Sequence, residues 1–86
     1  MQIQELPLNQ IRRPLPKPTD EAKVEKLAES IAERGLQEPI DVLEVEGKYY
    51  GFSGCHRYAA HQKLGKPTIK CRVRRATPSV LRAHLA

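Results

Sequence analysis

The chain has no tryptophan, one phenylalanine and three tyrosines among its 86 residues. Aliphatic side chains must therefore fill its core, and a chain of this length supports one small domain, expected here over residues 1–86. No apolar run approaches the ~20 residues a membrane-spanning helix needs. The opening Met1-Gln2-Ile3-Gln4-Glu5 lacks the basic-then-apolar pattern of a secretory signal, so no membrane association and a cytoplasmic location are expected. There are two cysteines, Cys55 and Cys71, too few for a disulfide framework and too far apart for a Cys-x-x-Cys pair. Reduced thiols are the expectation. His56, His61 and His84 do not combine with them at zinc-ligand spacing, and no metal site is expected. No Gly-x-x-x-x-Gly-Lys-Ser/Thr loop is present, which removes the P-loop route to a nucleotide. The last absence is the most telling. Residues 47–86 hold nine Lys or Arg and no acid, whereas residues 1–46 hold all ten acids beside six basic residues. The halves thus carry +9 and −4 within a total of +5. The second half should attract an anion unless acids of the first half fold against it.

The residues that are present describe a compact α/β domain with a small sheet. Ile3-Gln4-Glu5-Leu6 reads as a first strand ended by Pro7. Asn9 to Pro18 reads as an irregular, proline-rich connector, held extended by prolines that fix φ. Thr19 or Asp20 caps a helix over 20–34, with Val24, Leu27, Ala28 and Ile31 as its apolar stripe and Gly35 as its stop. Ile40–Val45 and Lys48–Phe52 read as a hairpin turned at Glu46-Gly47. Cys55–Leu64 reads as a helix ended by Gly65, and Thr68–Val73 as an alternating strand. Thr77 and Pro78 open a last helix with Val80, Leu81 and Leu85 on one apolar face.

Chemistry concentrates in Phe52-Ser53-Gly54-Cys55-His56-Arg57. Glycine permits a sharp turn and close backbone approach. The helix start that follows offers unpaired N–H groups and a positive dipole end, which suit phosphate. A thiol in that setting, beside His56 and Arg57, tends to ionise and become nucleophilic. Arg57 supplies a planar fork of donors that matches phosphate oxygens, and His56 a further donor or a proton carrier. Their plainer roles are a salt bridge for Arg57 and a surface position for His56. Cys71 alternates with Ile69 and Val73 and should point into the core, with a second redox role as the alternative. Lys23, Leu27 and Ser30, with Lys26 alongside, form a column that either lines a groove or is a solvated helix face. The proline arm is expected to aim Arg13 at the anion site and Leu15 outward; a polyproline adaptor without chemistry is its alternative.

Phe52-Ser53-Gly54-Cys55-His56-Arg57-Tyr58-Ala59-Ala60 resembles the Phe-Gly/Ser-Gly-Cys-His-Arg-Tyr-Ala-Ala signature of sulfiredoxins. Ile11-Arg12-Arg13-Pro14-Leu15-Pro16, Ala22-Lys23-Val24, Pro39-Ile40-Asp41-Val42-Leu43 and Leu81-Arg82 extend the likeness along nearly the whole chain. The resemblance implies the ParB/sulfiredoxin-like fold, a mixed β-sheet packed with about three helices. It implies ATP- and Mg²⁺-dependent reduction of the cysteine sulfinic acid of hyperoxidised typical 2-Cys peroxiredoxins, a species otherwise hard to rescue. Cys55 would be the catalytic thiol, and an external thiol, thioredoxin or glutathione, would complete the cycle. Gly54, His56, Arg57, Lys23, Ser30 and Arg13 match positions that serve the nucleotide and the reacting groups. Lys26 stands where other members have a nucleotide-facing serine. Leu15 and Phe52 match residues that pack on the peroxiredoxin, and His84 replaces a tyrosine of that surface. Ser53 replaces the commoner glycine. A monomer is expected, and nucleic acid is not. The rival is a ParB-like nucleotide- or DNA-binding module, whose motif usually reads Gly-Glu-Arg-Arg.

Overall fold

A computed structural model describes residues 2–15, 17–35 and 38–85. Its elements are β1 (Gln2–Pro7), a 3-10 turn (Leu8–Gln10), β2 (Ile11–Arg12), α1 (Glu21–Arg34), β3 (Ile40–Val45), β4 (Lys48–Gly51), α2 (Cys55–Lys63), β5 (Thr68–Arg75) and α3 (Pro78–Leu85). The strands form one mixed sheet in the order β1-β5-β3-β4-β2. β1 runs antiparallel to β5 and β4 antiparallel to β3, while β3 with β5 and β2 with β4 are parallel.

Local chemistry explains the boundaries. Asp20 caps α1, its Oδ1 accepting from the N–H groups of Ala22 at 2.9 Å and Lys23 at 3.4 Å. Gly35 leaves the helix at φ 76°, a value that favours glycine. The β3–β4 turn puts both Glu46 (φ 51°) and Gly47 (φ 79°) in the left-handed region, the two-residue hairpin geometry that matches strand twist. On β5, Ile69, Cys71 and Val73 turn inward, and Lys70, Arg72 and Arg74 turn outward. The inward set joins Leu6, Ile11, Ile40 and Val42 in a core on which Tyr58 of α2 packs. A second cluster, Val24, Ala28, Ile31 and Ala60, holds α1 to α2.

Three sequence expectations need correction. The connector is not wholly irregular: its start forms the 3-10 turn and the short β2, because Ile11 is buried against the sheet and pairs with Tyr49. β5 continues to Arg75, and β1 includes Pro7, because both strands go on pairing with their neighbours. The apolar face expected on α3 is only partly covered: no residue of α3 is buried, Leu81 is half-buried, and Val80 and Leu85 are 39% and 42% exposed. The proline Pro16 of the arm lies outside the described residues. The charge halves do meet in part. Lys63 of α2 reaches Glu25 at 2.9 Å and Glu21 at 3.2 Å on α1, which hold its ammonium above its usual 10.5. Arg72 lies 3.3 Å from Asp41 and 3.6 Å from Glu38.

Cys71 is fully buried, its thiol donating to the Ile69 carbonyl at 3.3 Å. Burial pushes its pKa from 9.0 to about 11. The folded state therefore holds this proton more tightly than the unfolded chain does. The stability it contributes is complete below pH 9 and is lost as pH rises toward 11, about 2–3 kcal/mol in all. Denaturant titrations of the native chain and of Cys71→Ala between pH 8 and 11 check this. The native chain should lose more stability with pH than the variant does, and parallel curves would remove the role of the thiol.

Candidate functional site

The site is built where β4 hands over to α2. Gly54 is the N-cap of α2 at φ 68°, ψ 34°. A Cβ there would collide with Ile40 Cγ2, so glycine is required by space as well as by conformation. Without a side chain Gly54 cannot cap the helix, and the first-turn N–H groups of α2 keep no side-chain partner. The start of α2 borders a cleft of about 420 Å³ whose lining includes Leu27, Ser30, Gly54, Cys55, His56 and Arg57. One wall is thus the start of α2 and the other is a face of α1.

Cys55, half-buried and unbridged, sits at the first turn. Arg13 comes to it from a different part of the chain. Its Nη2 donates to Cys55 Sγ at 3.1 Å and its Nη1 to the Ser53 carbonyl at 2.9 Å, with the guanidinium 5.1 Å from the Tyr58 ring centroid. Tyr58 is itself fixed, its hydroxyl donating to the Leu8 carbonyl at 2.8 Å. Gly51, at the end of β4, makes the crossing possible. A Cβ there would lie 2.6 Å from Arg13 Nη1 and 3.1 Å from Ile11 Cγ2. Beyond Arg13, a recess of about 260 Å³ bordered by Lys17, Thr19, Tyr58 and Gln62 also reaches Cys55. The sulfur therefore stands between two openings.

His56 Nε2 accepts from the Asp20 N–H at 3.1 Å, which puts its ring proton on Nδ1. The capped start of α1 and the start of α2 are joined through this bond. Arg57 makes no salt bridge among the described residues. Its Nη1 donates to the carbonyls of Glu38 at 3.1 Å and Pro39 at 2.9 Å, while Nη2 and Nε take no bond from the described residues. Buried His61 braces Arg57 from behind, its Nδ1–H donating to the Arg57 carbonyl at 2.7 Å.

The geometry therefore gathers Ser30, Gly54, Cys55, His56 and Arg57 in one cleft and brings Arg13 to the sulfur. Lys23 and Lys26 are exposed on α1 and do not border that cleft. Glu38, an acid of the first half, does border it. Leu15 points outward at 43% exposed. Phe52 and His84 lie elsewhere, their rings 5.1 Å apart, beside a third cleft on the outer face of the sheet. Among the described residues no group of three His, Cys, Asp or Glu is placed to hold a metal. Gly51, Tyr58 and Asp20 were missed as site residues. The one available signal was a glycine inside a strand pattern, which marks close approach of another group.

The whole chain, residues 1–86, matches the ParB N-terminal domain family. It is 61% identical over 85 residues to the chloroplastic/mitochondrial sulfiredoxin of Arabidopsis thaliana, covering 96% of this chain and 68% of that protein. The crystal structure of sulfiredoxin from Arabidopsis thaliana superposes with a TM-score of 0.96 at 59% identity, covering 100% of this chain and 99% of that one. A C-terminally truncated chromosome-partitioning protein ParB from Caulobacter crescentus, complexed with CTP-gamma-S, gives a TM-score of 0.74 at 28% identity, over 88% of this chain and 46% of that one.

Gly51→Ala tests the path of Arg13. The strand backbone accepts alanine; the atom that must move away is the end of the flexible Arg13 side chain, and buried Ile11 need give only a few tenths of an ångström. The variant should fold normally yet slow iodoacetamide alkylation of Cys55 at pH 7 by about tenfold, the worth of one charge-assisted hydrogen bond. In an Arg13→Ala background the same change should have no further effect. A full additional slowing there would mean Gly51 acts by another route.

Proposed function

Because the chain belongs to the sulfiredoxins, within the ParB N-terminal domain family, we propose that it reduces the cysteine sulfinic acid of hyperoxidised typical 2-Cys peroxiredoxins. ATP, entering as its Mg²⁺ complex, is the phosphoryl donor. A sulfinate oxygen attacks the γ-phosphate, ADP departs, and the sulfinic oxygen becomes part of a leaving group. The Cys55 thiolate then attacks the sulfinyl sulfur and expels phosphate, leaving a thiosulfinate between the two proteins. Two external thiol equivalents, from thioredoxin or glutathione, then close the cycle: the first cleaves the thiosulfinate to release the peroxiredoxin sulfenic acid and leave a mixed disulfide on Cys55, and the second restores the Cys55 thiol and departs with the first as a disulfide.

The observation that carries this reading is Cys55 itself, held by Arg13 at the border of a cleft with the donors of a helix N-terminus. Phosphoryl transfer asks the protein for alignment and charge stabilisation more than for covalent help. The first-turn N–H groups, His56 and the unused nitrogens of Arg57 would hold phosphate oxygens, and Ser30 on the facing wall would meet the nucleotide. Lys23 and Lys26, at the exposed side of α1, would reach a phosphate only from outside the cleft. Leu15, Phe52 and His84 would meet the peroxiredoxin, with the chain acting as a monomer. CTP-gamma-S in the related ParB supports a nucleotide on this fold. No described helix is long and apolar enough to cross a membrane. The Arabidopsis relative is named for chloroplast and mitochondrion, so it lends no support to the cytoplasmic expectation.

Two variants test the roles by mixing hyperoxidised 2-Cys peroxiredoxin, ATP, Mg²⁺ and dithiothreitol and following the sulfinate by mass. Cys55→Ser should abolish repair and retain ATP binding; full repair would exclude Cys55 as the nucleophile. Arg57→Ala should weaken ATP binding by about tenfold or more, as expected for a lost charge-assisted bond. Unchanged affinity would move the phosphates elsewhere. Salt-sensitive DNA binding with no action on sulfinate would favour the ParB-like alternative.

A further inference from the structure

Cys55 borders two openings, and among the described residues it alone belongs to both linings. One is the cleft of about 420 Å³ beside His56 and Arg57. The other, about 260 Å³, runs along α2. Cys55, Tyr58, Ala59 and Gln62 stand at positions i, i+3, i+4 and i+7 of that helix, so they share one side of it. Arg13, Lys17 and Thr19 border the recess from the segment that leads into α1. The two openings differ in charge. Glu38 borders the first, whereas two cations and no acid border the second among the described residues. Arg13 already commits its two Nη groups to Cys55 Sγ and the Ser53 carbonyl. Lys17 is exposed and enters no ion pair among the described residues. A recess of this size takes a small molecule and not a folded domain.

The geometry points to this recess as the entrance for the thiol that cleaves the link at Cys55, and to a small thiol bearing a carboxylate as its occupant. The inference rests on the repair reading for what that thiol displaces. A thiolate attacks sulfur in line with the bond it breaks. In the thiosulfinate the leaving sulfur is the peroxiredoxin's, and it stands on the side where phosphate was transferred, at the start of α2. The incoming sulfur must then reach Cys55 Sγ from the other side, and the recess is the second opening that borders Cys55. The thiolate forms a bond to Sγ as the bond from Sγ to the sulfinyl sulfur breaks. The electron pair leaves on the peroxiredoxin sulfenate, which takes up the proton the thiol gave up. A second thiolate attacks the sulfur of the bound small thiol, forms a disulfide with it and frees the Cys55 thiolate. In both steps negative charge arrives beside Arg13, and Lys17 receives the carboxylate. Glutathione has this form. A protein thiol such as that of thioredoxin brings a folded domain to an opening that fits none of it beyond the cysteine.

Reduction of a methyl disulfide on Cys55, made on the full chain with methyl methanethiosulfonate and followed by intact mass, tests the recess without any peroxiredoxin. At equal thiolate concentration mercaptoacetate should react faster than mercaptoethanol, and cysteamine slower than both. Lys17→Glu should cut the ratio of mercaptoacetate to cysteamine rates by about fivefold, the scale of one exposed ion pair, with ATP affinity unchanged. Gln62→Trp, at an exposed position of α2, should fill the recess and slow every thiol by about tenfold. The same thiols, and thioredoxin, are then added to the covalent complex that accumulates with hyperoxidised peroxiredoxin, ATP and Mg²⁺ before any thiol is present. Both variants should form this complex at the native rate and differ from the native chain only in its cleavage. A rate ratio indifferent to Lys17→Glu, small-thiol cleavage untouched by Gln62→Trp, or thioredoxin outpacing glutathione at equal thiolate concentration overturns the inference while repair stands. If the complex never forms but the methyl disulfide keeps its Lys17-dependent ratio, the repair reading falls and the recess remains an entrance for anionic thiols.

Discussion

The left-handed turn at Gly54, seated against Ile40 with no room for a Cβ, is the constraint on which the rest of the site depends. Ile40 is wholly buried on the central strand of the sheet, so the turn is seated on the core itself. From that point α2 begins at once, and Cys55, His56 and Arg57 occupy its first turn. Each is then tied to a different neighbour: Cys55 to Arg13, His56 to the start of α1, and Arg57 to the carbonyls before β3. Three adjacent residues thus draw three separate segments of the chain to one place. A glycine that cannot cap its helix also leaves the helix N–H groups for a ligand.

The legible part of this arrangement was local. The Asp20 cap, the apolar stripe of α1, the Glu46-Gly47 turn and the alternation of β5 are signals carried within a few residues, and they set the elements. The hexapeptide before α2 was likewise visible, because glycine, cysteine, histidine and arginine at a helix start have a shared chemical use. What was not legible needed distance. The contact of Arg13 with Cys55 spans 42 positions and depends on the missing side chain of Gly51, which in sequence is only a glycine near a strand end. β2 escaped notice because two residues carry no periodicity. The apolar residues of α3 share a side, yet only Leu81 is partly covered while Val80 and Leu85 stay exposed, since helical spacing says which residues share a side and not what covers it.

The uneven charge of the chain resolves into two uses. Lys63 and Arg72 take up acids of the first half and tie elements together, as any folded protein might do with its excess. The remaining basic groups are not spread evenly. Arg57 turns part of its fork to the cleft beside Cys55, and Arg74 stands on the far face of the sheet.

The central claim is that Cys55 forms a covalent link to the partner only after phosphate has been transferred. Quenching a reaction that contains hyperoxidised peroxiredoxin, ATP and Mg²⁺ but no external thiol, then measuring intact masses, tests it directly. The account predicts one adduct per chain, located at Cys55, with phosphate released in step and no adduct when ATP is omitted. An adduct without ATP, or phosphate release with Cys55 unmodified throughout, would contradict it.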